Sequence, residues 1–268
     1  MQANASRRMP TVFVSHGSPM LAIDDSDAHR FLGSYGNKLG RPRAILVLSA
    51  HFVAPAATVT SAVSPETIHD FSGFARALYQ MTYPAPGSPD LANEIAGLLD
   101  VSGVPVNLTA ARGLDHGAWI PLTLMYPEAE IPVVQLSIDP QRGPEYHFTM
   151  GRHLAPLRDR GVLIVGSGGI THNLRELNWE GADAEVAPWA ASFNEWVADA
   201  IADARIDDLL AYRERAPYAA KNHPTEEHFF PLLCVLGTAA GDDRRERVHH
   251  SYAMGALSMD AYQFGDVD

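Results

Sequence analysis

Five short runs of aliphatic and β-branched residues punctuate the first two thirds of the chain, and the stretches between them carry helical periodicity. The runs are 11–15 (TVFVS), 44–50 (AILVLSA), 104–108 (VPVNL), 133–138 (VVQLSI) and 162–166 (VLIVG). Apolar residues fill most of them without alternating with polar ones, the pattern of strands buried on both faces. Between them 88–99, 116–126 and 144–160 read as helices, the last with Phe148, Met150, Leu154 and Leu157 as its apolar positions. Strands separated by helices are joined by crossovers, so the expected fold is α/β: a single domain with a central, mostly parallel sheet flanked by helices. Beyond Gly169 three more helices are expected, at 189–204, at 208–215, and from 225–226 through 229–237; 252–264 adds an edge strand. Residues 1–9 are expected to form a loose tail, with Met9 as an alternative start, and 10–268 the domain.

Charge and cysteine usage narrow the function classes. Against 20 Lys and Arg stand 32 Asp and Glu, a formal charge of −12. Phosphate backbones and anionic membrane surfaces are repelled by such a surface, so neither nucleic acid nor membrane is an expected partner. No stretch reaches the roughly 18 apolar residues of a membrane span, and no apolar core follows the two N-terminal arginines, which makes cytoplasmic localisation the expectation. A single cysteine excludes an internal disulfide framework and a multi-thiolate metal site. Any metal must be held by histidines and carboxylates.

Twelve histidines are present, and three of the expected strands run into one. TVFVS is followed by His16-Gly17-Ser18-Pro19, AILVLSA by His51, and VLIVG, after Ser167-Gly168-Gly169-Ile170-Thr171, by His172. In open α/β sheets ligands bind outside the carboxyl ends of the strands, so these three converge on one crevice at the C-terminal ends of the strands. Asp115-His116-Gly117 sits at a loop-to-helix junction, and His223 and His228 flank the start of a late helix in Asn222-His223-Pro224-Thr225-Glu226-Glu227-His228. A lone histidine at a strand end is most often a hydrogen-bonded loop residue; three at one sheet mouth point to a metal, with Fe, Zn, Mn or Cu selected by the ligand type. Competing motifs fail. Residues 165–169 lack the first glycine of a G-x-S-x-G elbow, 166–171 lack the last glycine of a dinucleotide fingerprint, and no H-E-x-x-H occurs. Cys234, in an apolar run, is expected to be inert core. His29, His147 and His153 are expected on helix surfaces, and His249 and His250 beside the charged run 242–247, outside the site.

The set Ser15-His16-Gly17-Ser18-Pro19, Ser49-Ala50-His51, Ile68-His69-Asp70-Phe71-Ser72-Gly73-Phe74, Tyr83-Pro84-Ala85-Pro86-Gly87-Ser88-Pro89, Asp115-His116-Gly117-Ala118-Trp119, Thr171-His172-Asn173-Leu174 and Glu227-His228 resembles the class III extradiol ring-cleaving dioxygenases, in their 4,5-DOPA dioxygenase branch. The likeness runs in the same order from about Pro10 to Met259. It implies a non-haem Fe(II) enzyme that opens a small, DOPA-like catechol with O2 to a muconate semialdehyde. By position it implies His16, His51 and His228 as metal ligands, with His172 and His116 as acid/base groups. Relatives elsewhere in the superfamily carry a glutamate as third ligand, so Glu227 stands as a substitute for His228, and His172 as a candidate fourth ligand. Zn(II) is a further expected occupant of the isolated protein. His69, Asp70, Tyr79 and Tyr83 fall in the family-like loop as candidate substrate contacts, while Asp115 either orients an imidazole or caps a helix. Two rival readings use the same residues: a zinc-dependent hydrolase that activates water, and a non-catalytic binding protein resembling the Memo branch of the superfamily. The expected partners are the catechol and O2; no oligomeric state is specified.

Overall fold

The computed structural model describes residues 8–178 and 184–267. Its strands are β1 (Thr11–Ser15), β2 (Ala44–Val53), β3 (Ala57–Thr60), β4 (Val106–Thr109), β5 (Val133–Ile138), β6 (Val162–Gly168), β7 (Arg245–His249), β8 (Tyr252–Ala253), β9 (Leu257–Ser258) and β10 (Ala261–Phe264). Among the described residues, eight of them form one sheet in the order β4-β3-β5-β2-β6-β1-β10-β7, and β8 pairs with β9 separately. The central strands β5, β2, β6 and β1 are mutually parallel, as expected for buried, continuously apolar runs. Their alternate residues pack on opposite faces of the sheet. Val12, Val14, Ile45, Val47, Leu163 and Val165 pack with the helices Asp27–Leu39 and His116–Met125. Leu46, Leu48, Val134, Leu136 and Ile164 pack on the opposite face with the helices Pro89–Val101 and Gly143–Leu154. No described helix is long and apolar enough to cross a membrane.

Register decides where the site falls. Val14, Ser167 and Ser49 lie in one cross-sheet row, so His16 and His51 each stand two residues beyond the same level on strands that flank β6. The pairing of β2 with β5 is interrupted between Leu48 and Val53, and the irregular stretch carries His51. Such interruptions re-aim side chains near sites.

Several elements differ from the sequence expectation, each for a local reason. The strand expected at 104–108 begins at Val106 and lies at the sheet edge, because Pro105 has no N–H for a ladder. The helix expected over 144–160 breaks before Pro156 into Gly143–Leu154 and Pro156–Asp159. The one expected at 208–215 is two pieces, Ile206–Leu210 and Tyr212–Arg215. β3 and the helix Asp27–Leu39 escape pattern reading: the first is four residues long, and the second contains Gly33 and Gly36, poor helix formers. The last strand, β10, is not an edge strand, since it pairs with β1 and β7; the edge is β7, drawn from the charged run and the residues after it. The tail is shorter than expected within the described residues. Met9 is buried, its N–H donates to the Arg158 carbonyl and its own carbonyl accepts from Arg158 Nε, while Arg8 pairs with Asp159; residues 1–7 lie outside the described residues. His147 is not a surface residue: it is fully buried, stacked on Phe230 at 4.3 Å.

The helices Gly143–Leu154 and Phe230–Thr238 touch through a reciprocal glycine pair. A Cβ on Gly151 would lie 2.0 Å from the Cys234 carbonyl oxygen, and one on Gly237 2.0 Å from that of Phe148. Gly151→Ala or Gly237→Ala should cost about 1–3 kcal/mol through overpacking, read as a lower urea midpoint at unchanged slope. Gly33→Ala, with nothing within 4 Å of the added carbon, should instead raise the midpoint through helix propensity.

Candidate metal centre

Five imidazoles meet at the strand ends. His16 directly follows β1, β2 carries His51, the turn after β6 leads to His172, the helix His116–Met125 opens on His116, and His228 lies just ahead of the helix Phe230–Thr238. All five border one cavity of about 170 Å³, walled also by Phe71, Phe74, Leu174, Leu177, Met254 and Leu257. His16 Nε2 and His51 Nε2 are 3.0 Å apart, and His16, His51 and His228 bring one nitrogen each within 4.8 Å of one another. The His116 ring lies 3.9 Å from that of His51, and the His172 ring stacks on His228 at 3.3 Å with 8° between planes.

Glycines permit this crowding by close approach. A Cβ on Gly168 would fall 2.1 Å from the His228 carbonyl oxygen, and one on Gly117 2.5 Å from Ser49 Oγ and 3.1 Å from His51 Cδ2. The Gly169 N–H donates to the same His228 carbonyl. The small-residue turn after β6 therefore seats the segment that bears His228. A polar cluster fixes the irregular end of β2: buried Asp115 accepts from Ser49 Oγ at 2.6 Å, Gln135 Nε2 at 2.7 Å and Arg112 at 3.0 Å, and Arg112 also donates to the His51 carbonyl. Asp115 caps the helix through the Ala118 N–H, the second of the two roles open to it in sequence, and its carboxylate oxygens are taken by Ser49, Arg112 and Gln135.

Hydrogen bonds decide which ring nitrogen each histidine presents. Ser167 Oγ gives its proton to the Gly117 carbonyl at 2.5 Å, so toward His16 Nδ1, at 2.9 Å, it acts as acceptor. His16 thus carries its proton on Nδ1 and shows a bare Nε2 lone pair to the cavity. His228 Nδ1 donates to the Glu227 carboxylate at 3.1 Å, and its buried Nε2 has no hydrogen-bond partner. A buried acceptor without a donor is costly, and a cation shared with His16 and His51 satisfies all three at once. Burial, followed by the neighbouring imidazoles, holds the pKa of His16 and of His228 well below the ordinary histidine value, and burial lowers His51 to about 4. The three are neutral, the ligand form. Three neutral imidazoles on one side of an ion suit a first-row transition metal and leave coordination positions open.

The remaining expected residues distribute unevenly. Asp70 borders His116 and His51 rather than the cavity: its Oδ1 accepts from the His116 Nδ1–H at 3.0 Å and backbone N–H at 2.9 Å, and its Oδ2 lies 3.7 Å from His51 Nδ1. Burial raises the Asp70 pKa, but the His116 contacts outweigh it and bring it down to about 2. His69 bonds the Met81 carbonyl and Tyr83 is core, its hydroxyl donating to the Tyr126 carbonyl. Neither borders the cavity; Phe71 and Phe74 of the same loop do. Tyr79 packs against His69 and Phe71. Glu227 uses its carboxylate on His228 itself. The sequence does not mark Ser167 or Gln135 as site residues: Ser167 stands near the end of β6 and Gln135 inside β5, and only their contacts with His16 and Asp115, distant in sequence, reveal them.

Two expectations follow. Titrated with Co(II), His228→Ala should lose the site, whereas Glu227→Gln, which keeps an acceptor, should weaken binding about 10–100-fold; the reverse order would make Glu227 the ligand. Burial also lowers His147 and His172 to about 4 and His223 to about 3. Unfolded, these groups protonate near 6.5. Below that the unfolded chain binds more protons than the folded one, so stability should fall as pH drops from about 6.5 toward 4, measured as a declining urea midpoint of the metal-free protein.

Comparison with known proteins agrees with this geometry. The family described as the catalytic LigB subunit of aromatic ring-opening dioxygenase matches residues 10–265. A protein of Beta vulgaris named 4,5-DOPA dioxygenase extradiol is 45% identical over 258 residues, covering 95% of this chain and 96% of that one. One of the same name from Escherichia coli (strain K12) is 45% identical over 265 residues, covering 97% and 96%. A solved structure of an uncharacterized protein from Escherichia coli K12 superposes with a TM-score of 0.83 at 40% identity, covering 96% of this chain and 100% of that one. The chain belongs to the LigB family of aromatic ring-opening dioxygenases and is an extradiol ring-cleaving enzyme.

Proposed function

We propose that the protein is a non-haem Fe(II) dioxygenase that opens a small, DOPA-like catechol with O2 to a muconate semialdehyde. The observation that carries this reading is five imidazoles around one cavity, three with nitrogens close enough for a single ion and two left over. His16, His51 and His228 would hold the iron. Ferrous iron, when bound, supplies the one-electron chemistry by which O2 reacts with an aromatic ring, which zinc cannot. His172 and His116 handle protons. Burial keeps His172 neutral at pH 7, so it and His116 can each take the proton of one of the two catechol hydroxyls and later return it to an oxygen of the opened product. The apolar walls formed by Phe71, Phe74, Leu174 and Leu257 suit an aromatic ring and limit water around it. The shared name of the two relatives supports the DOPA-like side chain.

Anaerobic loading with Fe(II), followed by a catechol panel in air, should give yellow ring-fission products with matching O2 uptake, while zinc-loaded protein stays inert. No product from any catechol would overturn the reading; hydrolysis by the zinc form would favour a hydrolase. His16→Ala, His51→Ala and His228→Ala should lose iron and activity with the fold kept. His172→Gln and His116→Gln should keep iron and turn over about 10²–10⁴ slower. Iron loss in His172→Gln equal to that in His51→Ala would make His172 a ligand.

A further inference from the structure

The carboxylate beside His116 has an arrangement that side-chain packing alone does not require. Asp70 Oδ1 accepts both the ring Nδ1–H and the backbone N–H of the same residue. The loop that carries it is stapled to the start of the same helix: the Ile68 N–H donates to the Leu114 carbonyl, the Leu114 N–H to the Glu66 carbonyl, and Trp119 Nε1–H to the Ile68 carbonyl. A Cβ on Gly113 would fall 2.1 Å from the Glu66 carbonyl oxygen, so the two segments lie in backbone contact. Phe71, next in the chain, sets its ring perpendicular to that of His116 at 5.7 Å. Imidazole, carboxylate and helix start therefore form one rigid unit. Asp115, at the same helix start, turns its carboxylate away toward Arg112, Gln135 and Ser49.

We propose that Asp70 is the positioning residue of the reaction: by holding the proton of His116 on Nδ1, it leaves Nε2 as the lone pair that takes a proton from the catechol. The inference rests on the dioxygenase reading and adds a role to it. A free neutral imidazole favours the proton on Nε2, where it would meet the substrate as a donor and could accept nothing. A carboxylate on Nδ1 reverses that preference and fixes the ring plane, the service a buried aspartate gives a catalytic histidine in serine proteases. In the step itself the O–H bond of one catechol hydroxyl breaks, the N–H bond forms at His116 Nε2, the positive charge on the ring lies against Asp70, and the proton later passes back to an oxygen of the opened product. The substrate never touches Asp70, which separates this role from that of a substrate contact.

The test reads the tautomer directly, by nitrogen-15 NMR of the full-length, zinc-loaded protein, where zinc serves as a diamagnetic probe. Wild-type His116 should carry its proton on Nδ1. Asp70→Leu should move it to Nε2, and in the iron-loaded enzyme should lower kcat by about 10²–10⁴ with a much smaller change in KM for the catechol. Asp70→Asn, whose amide oxygen can still accept both N–H groups, should keep the Nδ1 tautomer and recover part of kcat. An Nε2–H tautomer in the wild type overturns the proposal whatever the variants do. So does an Asp70→Leu protein that keeps the wild-type tautomer, or one whose activity falls only in step with lost metal affinity. A wild-type protein with the Nδ1 tautomer that opens no catechol sinks the dioxygenase reading instead, which keeps the two failures apart.

Discussion

The histidine centre depends on three adjacent parallel strands that end at one level. Parallel pairing of β1 and β2 with β6 places Val14, Ser49 and Ser167 in one row. Moving β1 or β2 by one residue would turn His16 or His51 to the opposite face of the sheet. Both faces of β2 are apolar and buried, Ile45 and Val47 on one side and Leu46 and Leu48 on the other. A slip would leave the pattern of apolar residues almost unchanged, so burial alone does not exclude it. Polar contacts at the strand ends do. Ser49 is fixed by Asp115, and Ser167 is held between Gly117 and His16. Residues that orient the site thus also specify the alignment of the sheet that makes it.

The parts of this arrangement that were readable before any coordinates are those governed by short-range rules. Continuous apolar runs marked the buried parallel strands, and histidines at their ends marked the crevice. What stayed hidden is set by partners distant in sequence. Asp70 sat in a loop whose family likeness suggested substrate contact, yet its carboxylate serves His116, 46 residues away. Tyr83 is a candidate substrate contact by its place in the family-like loop, but its hydroxyl is used on the Tyr126 carbonyl and its ring is buried. His147 shows the same limit from the other side. Its spacing on a helix gives no hint of burial, which comes from Phe230 stacked on it and from its bonds to Asp139 N–H and the Gly143 carbonyl. The run 242–247 read as solvated charge because β7, unlike the central strands, is an edge that can keep its charged side chains partly in water.

Electrostatics and packing act in the same direction at the cavity. Five clustered imidazoles would repel one another if protonated, and burial suppresses the charge on His16, His51, His172 and His228. Acceptors on the outer side of the cluster, Ser167, Glu227 and Asp70, draw ring protons outward, so the inner side is a concentration of lone pairs. The chain as a whole carries a formal charge of −12, so a divalent cation would meet a favourable long-range field on approach and unprotonated nitrogens on arrival.

The seating of His228 against Gly168 bears on the order in which the molecule comes into being. His16 enters with the first strand, and His228 follows only after every central strand has been synthesised. Contacts such as that between His16 and Ser167, 151 residues apart, close large loops and form late relative to local helices. During synthesis a nascent chain holds its early histidines without their partner until the last third has wrapped back onto β6. An ion held by His16, His51 and His228 would therefore bind only the completed fold and would stabilise it over any partly folded precursor.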